Sequence, residues 1–240
     1  PKPHQQKAID DAVAHLEENE RGQLLMACGT GKTLTGLWIR EEMKAQRTVV
    51  FVPSIALLRQ TWSSWNQHAN EPFYSIAICS DQKATSQDQL VTSPSAAGLP
   101  PTTDPDAIAK ALNVSGPVVV FSTYQSSEVL ETALKKAGHH FDLMIADEAH
   151  NTTSAGLTDF TRPLYDNHIP AKRRLFCTAT PRIISRKGMK RDGEETYDIH
   201  SMDNEDLYGE VAHKLMFSEA IADGLLNDYE VFVVGVDDAE

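Results

Sequence analysis

Cysteine is scarce in this chain of 240 residues: Cys28, Cys79 and Cys177 are odd in number and far apart. That usage excludes a disulfide framework and a zinc knuckle, and leaves three small residues suited to burial. Also missing is any run near the roughly 18 apolar residues of a membrane span. The opening Pro1-Lys2-Pro3-His4-Gln5 has no apolar signal-peptide core. A cytoplasmic protein without a membrane partner is therefore expected. Nine histidines, including the pair His139-His140, show no ligand spacing, so no transition-metal site is expected. Positive charge is short as well, with 22 Lys and Arg against 34 Asp and Glu and a net charge of −12. An acidic chain does not attract nucleic acid over its whole surface. Any such contact must be local, through helix N-termini, backbone N–H groups, hydroxyls and a few cations such as Arg59, Lys172, Arg173 and Arg174.

What is present is a 41% hydrophobic chain, enough for one large core. Ala8, Ile9, Ala12, Val13 and Leu16 recur at helical spacing and predict an amphipathic helix over 4–18. Buried strands are predicted over 23–28, 48–52, 74–79, 118–122, 143–147 and 174–178, and helices after the glycines at 29–31 and over 55–68 and 127–137. A helix over 217–226 and a strand over 229–236 close the chain. Short, uniformly apolar strands alternating with helices predict an α/β fold, with a mostly parallel sheet covered by helices on both faces. Residues 80–105 are polar and rich in Ser, Thr, Gln and Pro, and read as a mobile excursion; residues 185–206 read as a charged insertion. There is no internal repeat.

The strongest local signal is Ala27-Cys28-Gly29-Thr30-Gly31-Lys32-Thr33, placed after a strand and at the start of a helix. Glycines let the backbone wrap a phosphate, the helix N-terminus adds positive potential, Lys32 reaches terminal phosphates, and the Thr33 hydroxyl suits Mg²⁺. The full phosphate-loop pattern places Gly where this chain has Met26. A second signal is Asp147-Glu148-Ala149-His150 after the apolar run 143–146, since parallel sheets bind ligands at the C-terminal ends of their strands. There Asp147 would hold the metal and Glu148 would orient and deprotonate the attacking water.

Together these motifs resemble the first motor domain of superfamily 2 helicases and translocases, a RecA-like P-loop domain of the DEAH-box type. The resemblance covers nearly the whole chain. It implies ATP and Mg²⁺ as cofactors, with Gln5 reading adenine, Gly29, Thr30, Gly31, Lys32 and Thr33 binding the nucleotide, and Lys32, Asp147, Glu148 and His150 catalytic. Val52 to Thr61 resembles a strand-gripping motif, with Pro53, Ser54 and Arg59 as contacts. Phe121 to Ser126 resembles the next one, with Ser122, Thr123 and Gln125. Thr178-Ala179-Thr180-Pro181 resembles the motif that couples the acids to the nucleic-acid cleft, with Thr178 and Thr180 bonding His150 or Asp147.

Finer runs, among them Ser54 to Leu58, Thr102 to Pro105, Ser201 to Asp203 and Leu207 to Gly209, look like the motor of type ISP restriction-modification translocases or related phage-defence helicases. That likeness implies double-stranded DNA as partner, and a nuclease and a methyltransferase elsewhere in a longer parent protein. A motor of this kind binds ATP between two RecA-like domains, so residues 1–240 are expected to be the first domain alone, with low activity for want of an arginine finger. An RNA helicase motor and a nucleotide-dependent binding switch without motor output remain the alternatives.

Overall fold

The computed structural model describes residues 1–79, 98–154, 156–184 and 199–228. In chain order the elements are α1 (Pro3–Glu18), β1 (Arg21–Met26), α2 (Lys32–Glu42), β2 (Arg47–Val52), α3 (Ile55–His68), β3 (Tyr74–Ile78), β4 (Gly98–Thr102), α4 (Pro105–Leu112), β5 (Val118–Thr123), α5 (Ser127–Ala137), β6 (Phe141–Asp147), β7 (Ala171–Thr178), α6 (Glu205–Tyr208), β8 (Glu210–Leu215) and α7 (Phe217–Ala222). Eight strands form one sheet in the order β4-β3-β5-β2-β6-β7-β1-β8. Every strand pairing among the described residues is parallel.

Alternation along the strands sorts side chains between two apolar layers. Val50, Val52, Val119, Phe121, Leu143, Ile145 and Leu175 pack with Ala8, Leu37, Leu58 and Ala220, so α1, α2, α3 and α7 cover one face. Val49, Phe51, Val120, Met144 and Phe176 pack with Ile108, Leu130 and Tyr208, so α4, α5 and α6 cover the other. Within the first layer Trp65 of α3 lies edge-on to Phe73 and Phe121 and donates its indole N–H to the Thr33 carbonyl at 3.0 Å. This indole fixes the start of α2, and its loss in Trp65→Ala costs about 3–5 kcal/mol.

Local chemistry sets the element ends. Ser54 caps α3 by accepting from the Leu57 N–H, Asp104 caps α4 ahead of Pro105, and Gly138 ends α5 in the left-handed region at φ 66°. At the N-terminal rim of the sheet one carboxylate, Asp142, accepts from the N–H groups of Gln46 and Arg47 at 3.0 and 2.9 Å and pairs with Lys172 at 2.8 Å.

Several expectations need correction. Of the mobile excursion expected over 80–105, residues 80–97 lie outside the described residues, whereas 98–102 form β4 and Pro105 opens α4. The charged insertion also falls mainly outside them, at 185–198; its end is packed, with His200, Ser201 and Met202 buried and Asn204 capping α6. Helix α7 stops at Ala222 rather than at 226, and β8 occupies 210–215, where no strand is predicted. The strand expected over 229–236 lies outside the described residues.

Candidate nucleotide-binding and hydrolysis site

All the strands run the same way, so the loops after β1, β2, β5, β6 and β7 share one rim. Strand β1 ends at Met26, which is fully buried; the non-glycine position of the phosphate-loop pattern is therefore the last strand residue, not part of the turn. The turn proper is 27–31. Gly29 and Gly31 both adopt positive φ, 85° and 89°, and a Cβ on Gly31 would collide with the Gln5 amide nitrogen. Thr30 locks the turn by donating its hydroxyl to the Ala27 carbonyl at 2.7 Å. Gly31 opens α2 without a side-chain cap, unlike Ser54 and Asp104. The first N–H groups of α2 therefore remain for a ligand.

From this turn Lys32, only 9% exposed, reaches the end of β6, with its Nζ 2.9 Å from Glu148 Oε1 and 3.7 Å from Asp147 Oδ1. Burial raises the Asp147 carboxyl above its ordinary range, against the pull of Lys32. Burial alone would lower the Lys32 ammonium, but Asp147 and Glu148 outweigh it and raise it. Glu148 stands in the left-handed region at φ 50°, an unusual backbone for a residue with a Cβ. Asn151 holds that corner by donating its side-chain amide to the Glu148 carbonyl at 2.8 Å.

His150 Nδ1 lies 2.9 Å from Thr178 Oγ1 and 3.4 Å from Glu148 Oε2. Thr178 Oγ1 also accepts from the Thr180 N–H at 3.1 Å, so Thr180 joins this chain through its backbone. Gln5 accepts from the Lys2 N–H at 2.8 Å and lines a cleft of about 500 Å³ with His4, Gly29, Leu34, Trp38 and Leu225. The structure thus brings together Gln5, the phosphate turn, both acids, His150 and Thr178. Thr33 follows Lys32 at the head of α2.

The residues expected to face a polymer divide. Ser54 and Gln125 are exposed, Pro53 and Arg59 half-buried, and the Gln125 amide donates to the Pro53 carbonyl at 3.4 Å, joining the two motifs. Ser122 and Thr123 are buried and turned inward, Ser122 onto the Thr123 carbonyl and Thr123 onto the Ser126 hydroxyl. Their expected direct contact with a strand is not available in this geometry. The cations expected to help are also placed elsewhere. Arg174 is buried against the carbonyls of Pro163, Ala171 and Ile169 and against Asp166, Arg173 bonds the Leu16 carbonyl, and Lys172 pairs with Asp142.

One contact escaped the sequence reading. The hydroxyl of Tyr124, which is wholly buried, donates to the Asp147 carbonyl at 2.8 Å.

Residues 1–183 match the family described as type III restriction enzyme, res subunit. The chain belongs to that family. It carries the first RecA-like domain of a superfamily 2 helicase-type motor. The chain is 30% identical over 234 residues to the probable helicase A859L of African swine fever virus (isolate Tick/Malawi/Lil 20-1/1983), covering 96% of itself and 24% of that protein. It is similar to a nuclease-deletion mutant of the type ISP restriction-modification enzyme LlaGI in complex with a DNA substrate mimic, at 35% identity and a TM-score of 0.75. That match covers 94% of this chain and 20% of the other. It is also similar to the ATP-dependent type ISP enzyme LlaBIII bound to DNA, at 35% identity and a TM-score of 0.76, over 96% and 16% of the two chains. The chain therefore spans about a quarter or less of these relatives.

Proposed function

We propose that this chain is the ATP-binding and hydrolysing half of a motor that moves along double-stranded DNA, within a larger restriction-modification or phage-defence protein. The observation that carries the reading is the placement of Lys32 against Asp147 and Glu148 across a two-glycine turn. Lys32 contributes one positive charge and the two acids two negative ones, so the cluster keeps a net negative charge beside an uncapped helix N-terminus. Such a donor set suits a divalent cation, and the turn suits phosphates, because Gly29 and Gly31 hold the positive φ that lets the backbone wrap closely and the head of α2 has no side-chain cap.

ATP supplies the phosphoanhydride whose hydrolysis powers movement. The residues present divide the work around it. Gln5 would read the base edge, Gly29 to Gly31 and the head of α2 would hold the phosphates, and Lys32 would hold the terminal one. Thr33 and Asp147 would hold Mg²⁺. Glu148 would accept the proton of the attacking water, with its carboxylate kept in place by Lys32 and His150. His150 and Thr178 would pass the state of the acids to the loop after β7. DNA would lie over Ser54 and Gln125 rather than on Ser122 and Thr123.

A second RecA-like domain, supplied by the parent protein with its nuclease and methyltransferase parts, would add the arginine finger. The isolated chain should then bind Mg-ATP weakly and turn over slowly. The test is ATP hydrolysis by the full-length parent, with and without long duplex DNA and with Lys32→Ala as background. Stimulation by duplex DNA that vanishes in Lys32→Ala supports the reading. Stimulation by RNA alone reassigns the chain to an RNA helicase, and none by either polymer reassigns it to a nucleotide switch.

A further inference from the structure

Tyr124 occupies the short 3₁₀ turn 124–126 between β5 and α5, immediately before the exposed Gln125. Its ring is wholly buried and stacked nearly parallel to Phe51 at 5.7 Å and to Phe160 at 5.3 Å, with interplanar angles of 20° and 18°. Packed in this way, the ring does not tilt independently of the turn that carries it. At its far end the hydroxyl meets the Asp147 carbonyl, at the corner where Glu148 takes its left-handed backbone. Burial pushes this hydroxyl well above the ordinary tyrosine range, so it remains a donor at any working pH. At its near end the turn is closed by the bond between the Thr123 and Ser126 hydroxyls and tied to the loop before α3 by Gln125 and Pro53.

Resting on the motor reading above, we infer that Tyr124 is the positioning residue through which the polymer-facing turn sets the peptide between Asp147 and Glu148. A displacement of Gln125 by a bound strand moves the turn as a unit. The stacked ring transmits it to the carbonyl of Asp147, and the two catalytic carboxylates follow because they flank that peptide.

The experiment is steady-state ATP hydrolysis by the full-length parent carrying Tyr124→Phe, which removes one oxygen and keeps the stack. The ratio of DNA-saturated to DNA-free turnover is expected to fall at least tenfold, with the half-saturating DNA concentration within threefold of wild type. Replacement of Tyr124 by 4-aminophenylalanine, which restores a donor at the same place, should recover most of the ratio. A ratio within twofold of wild type overturns the inference, as does an equal fall in DNA-free and DNA-saturated turnover, the mark of a merely structural hydroxyl. Thermal unfolding of both variants identifies loss of fold, in which case Gln125→Ala decides: the ratio must fall in it too, or the inference fails. If the wild-type parent is not stimulated by any polymer, the motor reading itself fails and this inference with it, and the Lys32→Ala background makes that outcome distinct.

Discussion

Replacing Lys32 by Met should destabilise the ligand-free chain as well as abolish hydrolysis, and the size follows from the geometry. Met keeps the length and most of the volume of the side chain, so the packing loss is small. What is lost is the counter-charge of Asp147, a carboxylate only 8% exposed and 3.7 Å from the ammonium. At an effective dielectric of about 20, a unit pair near this distance is worth about 4 kcal/mol. Glu148 is closer, but its side chain is 25% exposed and solvent screens its share. Proton uptake by Asp147, already favoured by burial, relieves part of the penalty. A net loss of about 3 kcal/mol is expected, in line with breaking one side of a buried pair, and appears as a urea midpoint lowered by about 1 M. The assay is a double-mutant cycle by urea unfolding of wild type, Lys32→Met, Asp147→Asn and the double variant. The double variant should lose about 2 kcal/mol less than the sum of the singles. Additivity, or an unchanged midpoint in Lys32→Met, would refute the claim that these charges hold one another in place.

Other expectations are narrower. Gln5→Ala should weaken discrimination of ATP from GTP in the parent; an unchanged preference in competition binding would remove Gln5 from the base site. Thr178→Val removes the hydroxyl shared by His150 and the Thr180 N–H, and should lower DNA-stimulated turnover about tenfold, the equivalent of about 1.4 kcal/mol, as read from kcat. Asp142→Asn tests the opposite rim. Burial would raise this carboxyl, but Lys172 and the N–H groups of Arg47 and Gln46 hold it below the usual range. Its contribution is therefore present above the unfolded pKa and is lost as pH falls through the folded one. Wild type should exceed Asp142→Asn by about 1–2 kcal/mol at pH 7, with the gap closing below about pH 4 in urea titrations.

Much of the fold was legible because the strong signals are local. Helices α3 and α5 match their predicted spans, and β2, β5, β6 and β7 contain theirs. The glycine turn and the two acids stand out as a pair, since adjacent carboxylates by themselves are usually a solvated turn, and the structure brings the two motifs within reach of each other through Lys32. Helix α4 carries a usable signal, Asp104 as cap before Pro105, but it is embedded in a polar stretch that otherwise lacks helical periodicity. Strand β8 gave little warning: its alternation is broken by the exposed Val211, and it is a strand only because β1 offers an edge. The inward turn of Ser122 and Thr123, the burial of Arg174 and the reach of Tyr124 to Asp147 depend on partners distant in sequence. No local pattern encodes them.

The strand order has a consequence for synthesis. The phosphate turn follows β1 and the acids follow β6, yet these strands are not neighbours; β7, residues 171–178, lies between them. A nascent chain that has delivered both motifs but not β7 leaves Lys32 and Asp147 on either side of an unfilled slot. Nucleotide capture must therefore wait for a late, long-range insertion, the slow kind of contact in folding. Chains truncated before residue 171 should fail to bind nucleotide even though every residue proposed to handle phosphate is present in them.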